Sequence, residues 1–367
     1  MQKKIIFIII LFIATLIIFP FISWQLRPVN YKDIIILDKT VPDTTYREHK
    51  GLMWVLNNLK IYDSKTKTPF DYSVDYFGFS PLSSDKYEIK ELPDSLGTPD
   101  YIYITDTYGV YNDDLYKVNQ EGTKSELIYG GTKPDEIDKI KAALNNNTII
   151  GEFNTLARPT DRVTRSKMER IFGLKWDGWI GRYFSDLSYN NEEIPTWMKD
   201  NYELQNGVKW EFKGKGIVLV SSSEKVIVLR DNIELGKNMN KIFFNEESIK
   251  EFNVKNGVDY YYWFEITTAD SGSEVLANYK LDTTEAGRNI LNKNGILSSF
   301  PAIVRTNGNY RSYYFAGDFA DNDSTPQLYN NDALYFLNRI TTIEEDTNQN
   351  YFYWNVYYPM IKSIFSN

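Results

Sequence analysis

Three carboxylates stand where short apolar runs end: Asp38 after DIIIL, Asp106 after DYIYIT and Glu152 after TIIG. If each run is a strand of a parallel sheet, all three reach its carboxyl edge, where open α/β sheets bind ligands. Two carboxyls at a suitable separation can cleave a glycosidic bond, one as acid and the other as base or nucleophile. The plainer use of such residues is to cap helix N-termini or to pair with Arg47, Arg158 or Arg162. Spacing along the chain leaves both uses open.

Four further segments carry chemistry-bearing side chains. In WDGWIGRYFSDL (176–187), Trp176, Trp179 and Tyr183 beside Arg182 could stack on a sugar ring, with Asp186 as a hydrogen-bonding acid. The same residues also suit a packed turn made tight by Gly178 and Gly181. In AGDFADND (316–323), Asp318, Asp321 and Asp323 offer oxygens to calcium, but EF-hand spacing is missing and a solvated loop is the simpler reading. Asp318 is also placed to share a cleft with Glu152. In VDYYYWFEIT (258–267), alternation puts Tyr260, Tyr262 and Phe264 opposite Tyr261, Trp263 and Glu265. Glu265 in a two-sided buried strand needs a partner or a raised pKa. Gly130-Gly131 precedes a helix but lacks the lysine-serine ending of a phosphate loop. Neither a cofactor signature nor a committed metal site emerges.

Cysteine is absent and His49 is the sole histidine. Disulfides, thiolate metal sites and a cysteine nucleophile are excluded, and serine-hydrolase or zinc-protease chemistry has little to build on. Residues 5–24, IIFIIILFIATLIIFPFISW, carry no charge and are long enough to span a bilayer. The bulky residues that follow do not suit a signal-peptidase site, so an uncleaved anchor is expected. Lys3 and Lys4 place the N-terminus in the cytoplasm and the bulk of the chain outside the cell membrane. Subtracting the positive charges of Lys3, Lys4 and Arg27 from the net −8 leaves −11 on residues 28–367, a poor surface for nucleic acid.

Beyond the anchor and its flank (1–27), strand-like and helix-like runs alternate. Strands are expected at 33–41, 72–80, 100–111 and 148–154, and helices at 46–59, 134–147 and 162–174. That order predicts an α/β domain over 28–205 with a mainly parallel sheet flanked by helices. Residues 206–295 read as a β-rich extension, with strands at 208–231, 257–269 and 274–281. Residues 296–367 supply a strand pair (300–305 and 311–321) and a closing helix (354–365) that complete the domain.

Two features then suggest a family. GEFNT (151–155) lies where the class I glutamine amidotransferase-like fold carries its strand-to-helix elbow. Val275-Leu276-Ala277-Tyr279, Pro301-Ala302-Arg305, Gly308 and Tyr313-Tyr314-Phe315 resemble the end of the non-catalytic form of that fold, found as the trimerisation domain of some beta-galactosidases. The resemblance implies an amidotransferase/flavodoxin-like domain without its nucleophile, since the cysteine and histidine of the glutaminase reaction are missing. The expected protein is thus membrane-anchored and extracytoplasmic. It would bind a cell-envelope polysaccharide or assist its assembly proteins, with oligomer formation left open. The alternatives are a glycoside hydrolase using Glu152 with Asp106 or Asp318, and a structural protein-interaction domain.

Overall fold

Ile34–Asp38, Tyr101–Asp106 and Thr148–Gly151 are neighbouring parallel strands in the computed structural model, which describes residues 2–83, 86–115, 119, 122–322, 325–346 and 348–366. The first two are buried along their whole length, as a strand covered on both faces must be. Phe77–Ser83 joins one side of this trio and Arg311–Phe315 the other, both parallel to it. The register sets Ile35 beside Ile102, and Ile102 beside Ile149.

This parallel centre belongs to a larger sheet of ten strands among the described residues. Beyond Arg311–Phe315 come Ser299–Asn307, Glu274–Thr283, Leu235–Phe244 and Val258–Asp259, all antiparallel. Lys86–Lys90 closes the other edge, also antiparallel. The expected mainly parallel sheet is therefore mixed. The expected strand pair around TNGNY is present, and its hairpin feeds directly into the parallel centre.

A second sheet orders Val226–Arg230, Gly216–Ser221, Leu174–Phe184 and Phe264–Ala269, all antiparallel. Most of the segment expected as a ring platform or a packed turn (176–187) lies in its longest strand. Strands of the expected 206–295 extension are thus shared between the two sheets. The strand expected over 257–269 is broken, because residues 260–263 leave both ladders. The strand expected at 72–80 starts only at Phe77, since Asp71 and Asp75 fold the preceding residues into a turn through the Ser73 and Asp71 amides.

The helix Arg47–Asn58 buries Leu52, Met53, Val55 and Leu56 and packs on the closing helical segment Asn350–Ser366. Pro359 does not stop that segment, which passes through a π-helical stretch at Tyr353–Tyr357. Pro134–Ala143 and Arg162–Phe172 pack against each other, the latter capped by Asp161. Thr196–Asn206, which the sequence pattern did not reveal, covers the second sheet with a small core of Phe184, Leu187, Met198, Trp210 and Val218.

At the N-terminus, Gln2–Leu26 is one helix. Within Lys3–Leu26 its most apolar stretch has a mean hydropathy of 3.3, and none of that stretch is buried. Its end is seated on the body. The Trp24 indole donates to Asn58 O at 2.8 Å, Ser23 Oγ donates to Asp332 Oδ2 at 2.6 Å, and Arg27 pairs with Asp332.

Candidate functional site

The helix Arg47–Asn58 meets the segment following Arg311–Phe315 at Gly51. A Cβ on Gly51 would stand 2.2 Å from Ala320 O, so only glycine permits this approach. The contact brings Glu48 against Asp318 and Asp321. One carboxylate oxygen from each lies within 4.8 Å of the other two, and all three residues are buried. Arg47 is the neighbouring cation. It sits 2.6 Å from Asp321 Oδ2 and 3.3 Å from Glu48 Oε1, and donates to Tyr262 Oη. One arginine does not satisfy three acids, and Glu48 Oε2 has no hydrogen-bond partner among the described residues. Burial, with the charges of neighbouring carboxylates, pushes Glu48 and Asp318 well above the usual carboxylate range.

Beside this cluster opens a cavity of about 210 Å³, lined by Arg182, Tyr183, Tyr261, Tyr262, Asp321, Asn322, Asp346, Gln349 and Asn350, among others. Asp321 belongs to both features. Arg182 reaches Glu193 at 3.0 Å and lies over the Tyr262 and Trp263 rings. Three buried polar atoms on this wall, Arg182 Nε, Gln349 Oε1 and Asn350 Oδ1, have no hydrogen-bond partner among the described residues. Buried polar atoms are nearly always satisfied, so such a group of orphans needs an explanation. A larger, more open depression of about 640 Å³ lies at the opposite edge of the sheet, around Asn145–Thr148 and Arg311. Ligand sites in α/β sheets favour the carboxyl edge, which singles out the smaller cavity.

The strand-end acids do reach one edge, but their oxygens are spent on the protein. Glu152 accepts from Tyr103 Oη, from Phe319 N at 2.8 Å and from Ala320 N at 3.0 Å. It anchors the Asp318–Asp321 segment and does not face the cavity. Asp106 accepts from Thr40 Oγ1 and Tyr108 N, both at 2.5 Å, and from Asn154 Nδ2 at 3.0 Å. Asp38 accepts from Thr40 N at 2.9 Å and meets His49 Nδ1 at 2.5 Å. His49 Nε2 is 2.7 Å from Tyr72 O, so neither nitrogen of the one histidine is left for a ligand. Glu265 accepts from Tyr314 Oη and from Asn154 N at 3.2 Å. Asn154, left-handed at φ +62°, ties Asp106 to Glu265 by donating to both.

The aromatic platform is not an exposed one. Trp176 and Trp179 are 8% and 9% exposed, and the Trp176 indole donates to Trp179 O at 3.0 Å. A bulge between them, with Gly178 at φ +83°, turns both rings toward the core in spite of their odd spacing. Asp186 caps an exposed turn through Ser188 N at 3.0 Å. Of that group, Arg182 and Tyr183 line the cavity. Asp323 lies outside the described residues. Glu48 and the polar run at 346–350 were missed by sequence reasoning. For Glu48 the only signal was its place in REH at the start of a helix aimed at the strand ends. For 346–350 the only signal was the density of amides in DTNQN.

The arrangement could hold a divalent cation among Glu48, Asp318 and Asp321, although Arg47 already supplies positive charge to two of them. Its chemistry is also pH-sensitive. Burial pushes Asp106 up to about 7, and Glu152 and Glu265 up to about 8. Between the unfolded carboxylate range near pH ~4 and these values, the folded chain binds more protons than the unfolded one. Raising the pH through that window therefore costs stability, up to roughly 1.4 kcal/mol per pH unit for each group. Thermal melts of the full-length protein in detergent should show a falling Tm from pH 5 to pH 8.5. A Tm that rises over that range would refute the assignment.

No protein-family model matches the chain, and no curated protein matches it. Among solved structures, it is similar to a putative ThuA-like protein from Bacteroides uniformis. The two share 11% identity over 88% of this chain and 97% of that one, with a TM-score of 0.29. A likeness of that strength carries no argument about fold or function.

Proposed function

We propose that this chain is a membrane-anchored extracytoplasmic protein that binds a cell-envelope saccharide in the Arg182–Tyr262 cavity. Its α/β domain is read as a catalytically degenerate member of the amidotransferase-like group. The observation that carries the binding reading is the cavity wall itself. Tyr261 and Tyr262 offer ring surface, with buried Tyr183 packed behind Tyr261, while Arg182, Gln349 and Asn350 hold unsatisfied donors and acceptors beside it. Rings for stacking together with planar polar groups for hydroxyls are what a sugar requires. The volume suits a single ring or a chain end. The anchored reading is supported by the exposed apolar helix and by its seating through Trp24 and Arg27, which a cleaved signal would not need.

Calorimetric titration of the full-length protein in detergent with envelope oligosaccharides tests this. Tyr261→Ala should weaken binding at least about tenfold, or ~1.4 kcal/mol, with little change in Tm. No heat with any saccharide, or unaltered affinity in the variant, would remove the sugar.

A glycoside-cleaving reading keeps one favourable observation. Asp321 stands in the cavity wall with an oxygen of each of two more carboxyls within 4.8 Å, and glycoside cleavage needs such a pair. It needs a free carboxylate, whereas Asp321 is held by Arg47. Release of reducing ends during the same titration, abolished by Asp321→Asn, would establish it over simple binding.

A further inference from the structure

The helix Ala333–Thr341 contains no buried residue. Leu334 and Tyr335 lean on the body, with Tyr335 stacked on Tyr358 at 3.9 Å between ring centres. Arg339, on the same side, donates to Asn253 O at 3.1 Å. The opposite side is apolar and open. Phe336 and Ile340 are each 60% exposed, Leu337 is exposed between them, and Ile343 follows just beyond the helix end. At 100° per residue Phe336, Leu337 and Ile340 fall on one stripe, facing away from Leu334, Tyr335 and Arg339, and exposed Ile343 follows past the helix end. An apolar stripe of this kind on a soluble surface signals a missing partner.

The start of this helix is tied to the end of the anchor. Asp332 N donates to Pro20 O at 3.3 Å, and the Asp332 carboxylate accepts from Ser23 Oγ and pairs with Arg27. Next to it, Tyr329 meets the Trp24 ring edge-on at 6.0 Å. The stripe therefore begins level with the last turns of the apolar span, where tryptophan and arginine mark a bilayer boundary.

We infer that the helix Ala333–Thr341 lies in the outer lipid–water interface, with Phe336, Leu337, Ile340 and Ile343 inserted among the acyl chains beside the anchor. This rests on the anchored reading above. An amphipathic helix seated in this way buries its apolar face roughly 5–10 Å into the headgroup boundary. Continuity with the span selects lipid over a second protein as occupant. The same polypeptide that enters the bilayer at Trp24 holds the amino end of the stripe.

Because the chain has no cysteine, single labelling sites are clean. A nitroxide is attached at Phe336→Cys or Ile340→Cys in the full-length protein in phosphatidylcholine–phosphatidylglycerol vesicles. Phe12→Cys reports on the anchor, and Leu204→Cys on an exposed apolar position of the second-sheet helix. Relaxation by oxygen should exceed relaxation by a nickel chelate at 12, 336 and 340, and the order should reverse at 204. Chelate access at 336 and 340 with position 12 in lipid would overturn the inference and leave the anchor standing. Chelate access at 12 as well would overturn both. Shielding of 336 and 340 from both reagents would mean that protein covers the stripe, and would also overturn it.

Discussion

Replacing Glu152 with alanine should cost about 3–5 kcal/mol of stability, more than any substitution in the cavity wall. Glu152 is 1% exposed and holds three donors. Without it, the Phe319 and Ala320 amides face no acceptor in a dry interior, and each stranded N–H carries its full desolvation cost. Tyr103 keeps only the Tyr357 hydroxyl, at 3.0 Å. The loss would also release the Asp318–Asp321 segment and so disperse the acid cluster. Glu152→Gln is the discriminating companion. Its amide oxygen can still receive the two backbone donors while its NH2 faces Tyr103, so its cost should be near 1 kcal/mol. Its Tm should also fall less steeply with pH, because one raised carboxyl is gone. Urea unfolding monitored by tryptophan fluorescence measures both. An alanine variant within 1 kcal/mol of the parent would mean that Glu152 is no anchor.

The second large effect is expected at Lys39, which is fully buried with its ammonium 2.6 Å from Glu136 Oε2 and 2.7 Å from Gly131 O. Burial pulls its pKa below the usual lysine value even with Glu136 beside it. Lys39→Met should cost about 3–5 kcal/mol, because it abandons a buried carboxylate. Removing both charges in Lys39→Met/Glu136→Leu should recover most of that loss. Glu136 Oε2 also accepts from Lys133 N at 2.7 Å at the helix start, so a remnant of about 1 kcal/mol should persist. A double variant as unstable as the single one would show that the pair is not the unit of stability. The measurement is a double-mutant cycle.

These two sites show what the sequence could convey. The apolar runs ending in Asp38, Asp106 and Glu152 were legible as strands, because strands covered on both faces need unbroken hydrophobic residues. The carboxylates were correctly placed at one edge. Their roles were not legible, since whether an acid faces a cavity or a backbone amide depends on segments distant in sequence, here residues 319 and 320. The second sheet was hidden for a local reason. Its longest strand carries a bulge at Asp177-Gly178, which breaks the alternation that marks a strand. Asn154 adopts a left-handed turn that nothing in GEFNT announces beyond the asparagine itself. The polar cavity wall at Asp346 and 348–350 comes from a stretch with no periodicity, which could not be told from an ordinary loop.

The seated end of the N-terminal helix has one more consequence. Between Leu26 and the first strand at Asn30 there is almost no free chain, and Trp24, Arg27 and Lys60 fasten what there is. On the anchored reading such a protein has no stalk. Its body would be held close to the bilayer and would sample few bearings. Its cavity would be presented at one height and one heading, so it would survey material passing close to the bilayer, and any partner would have to arrive there already oriented.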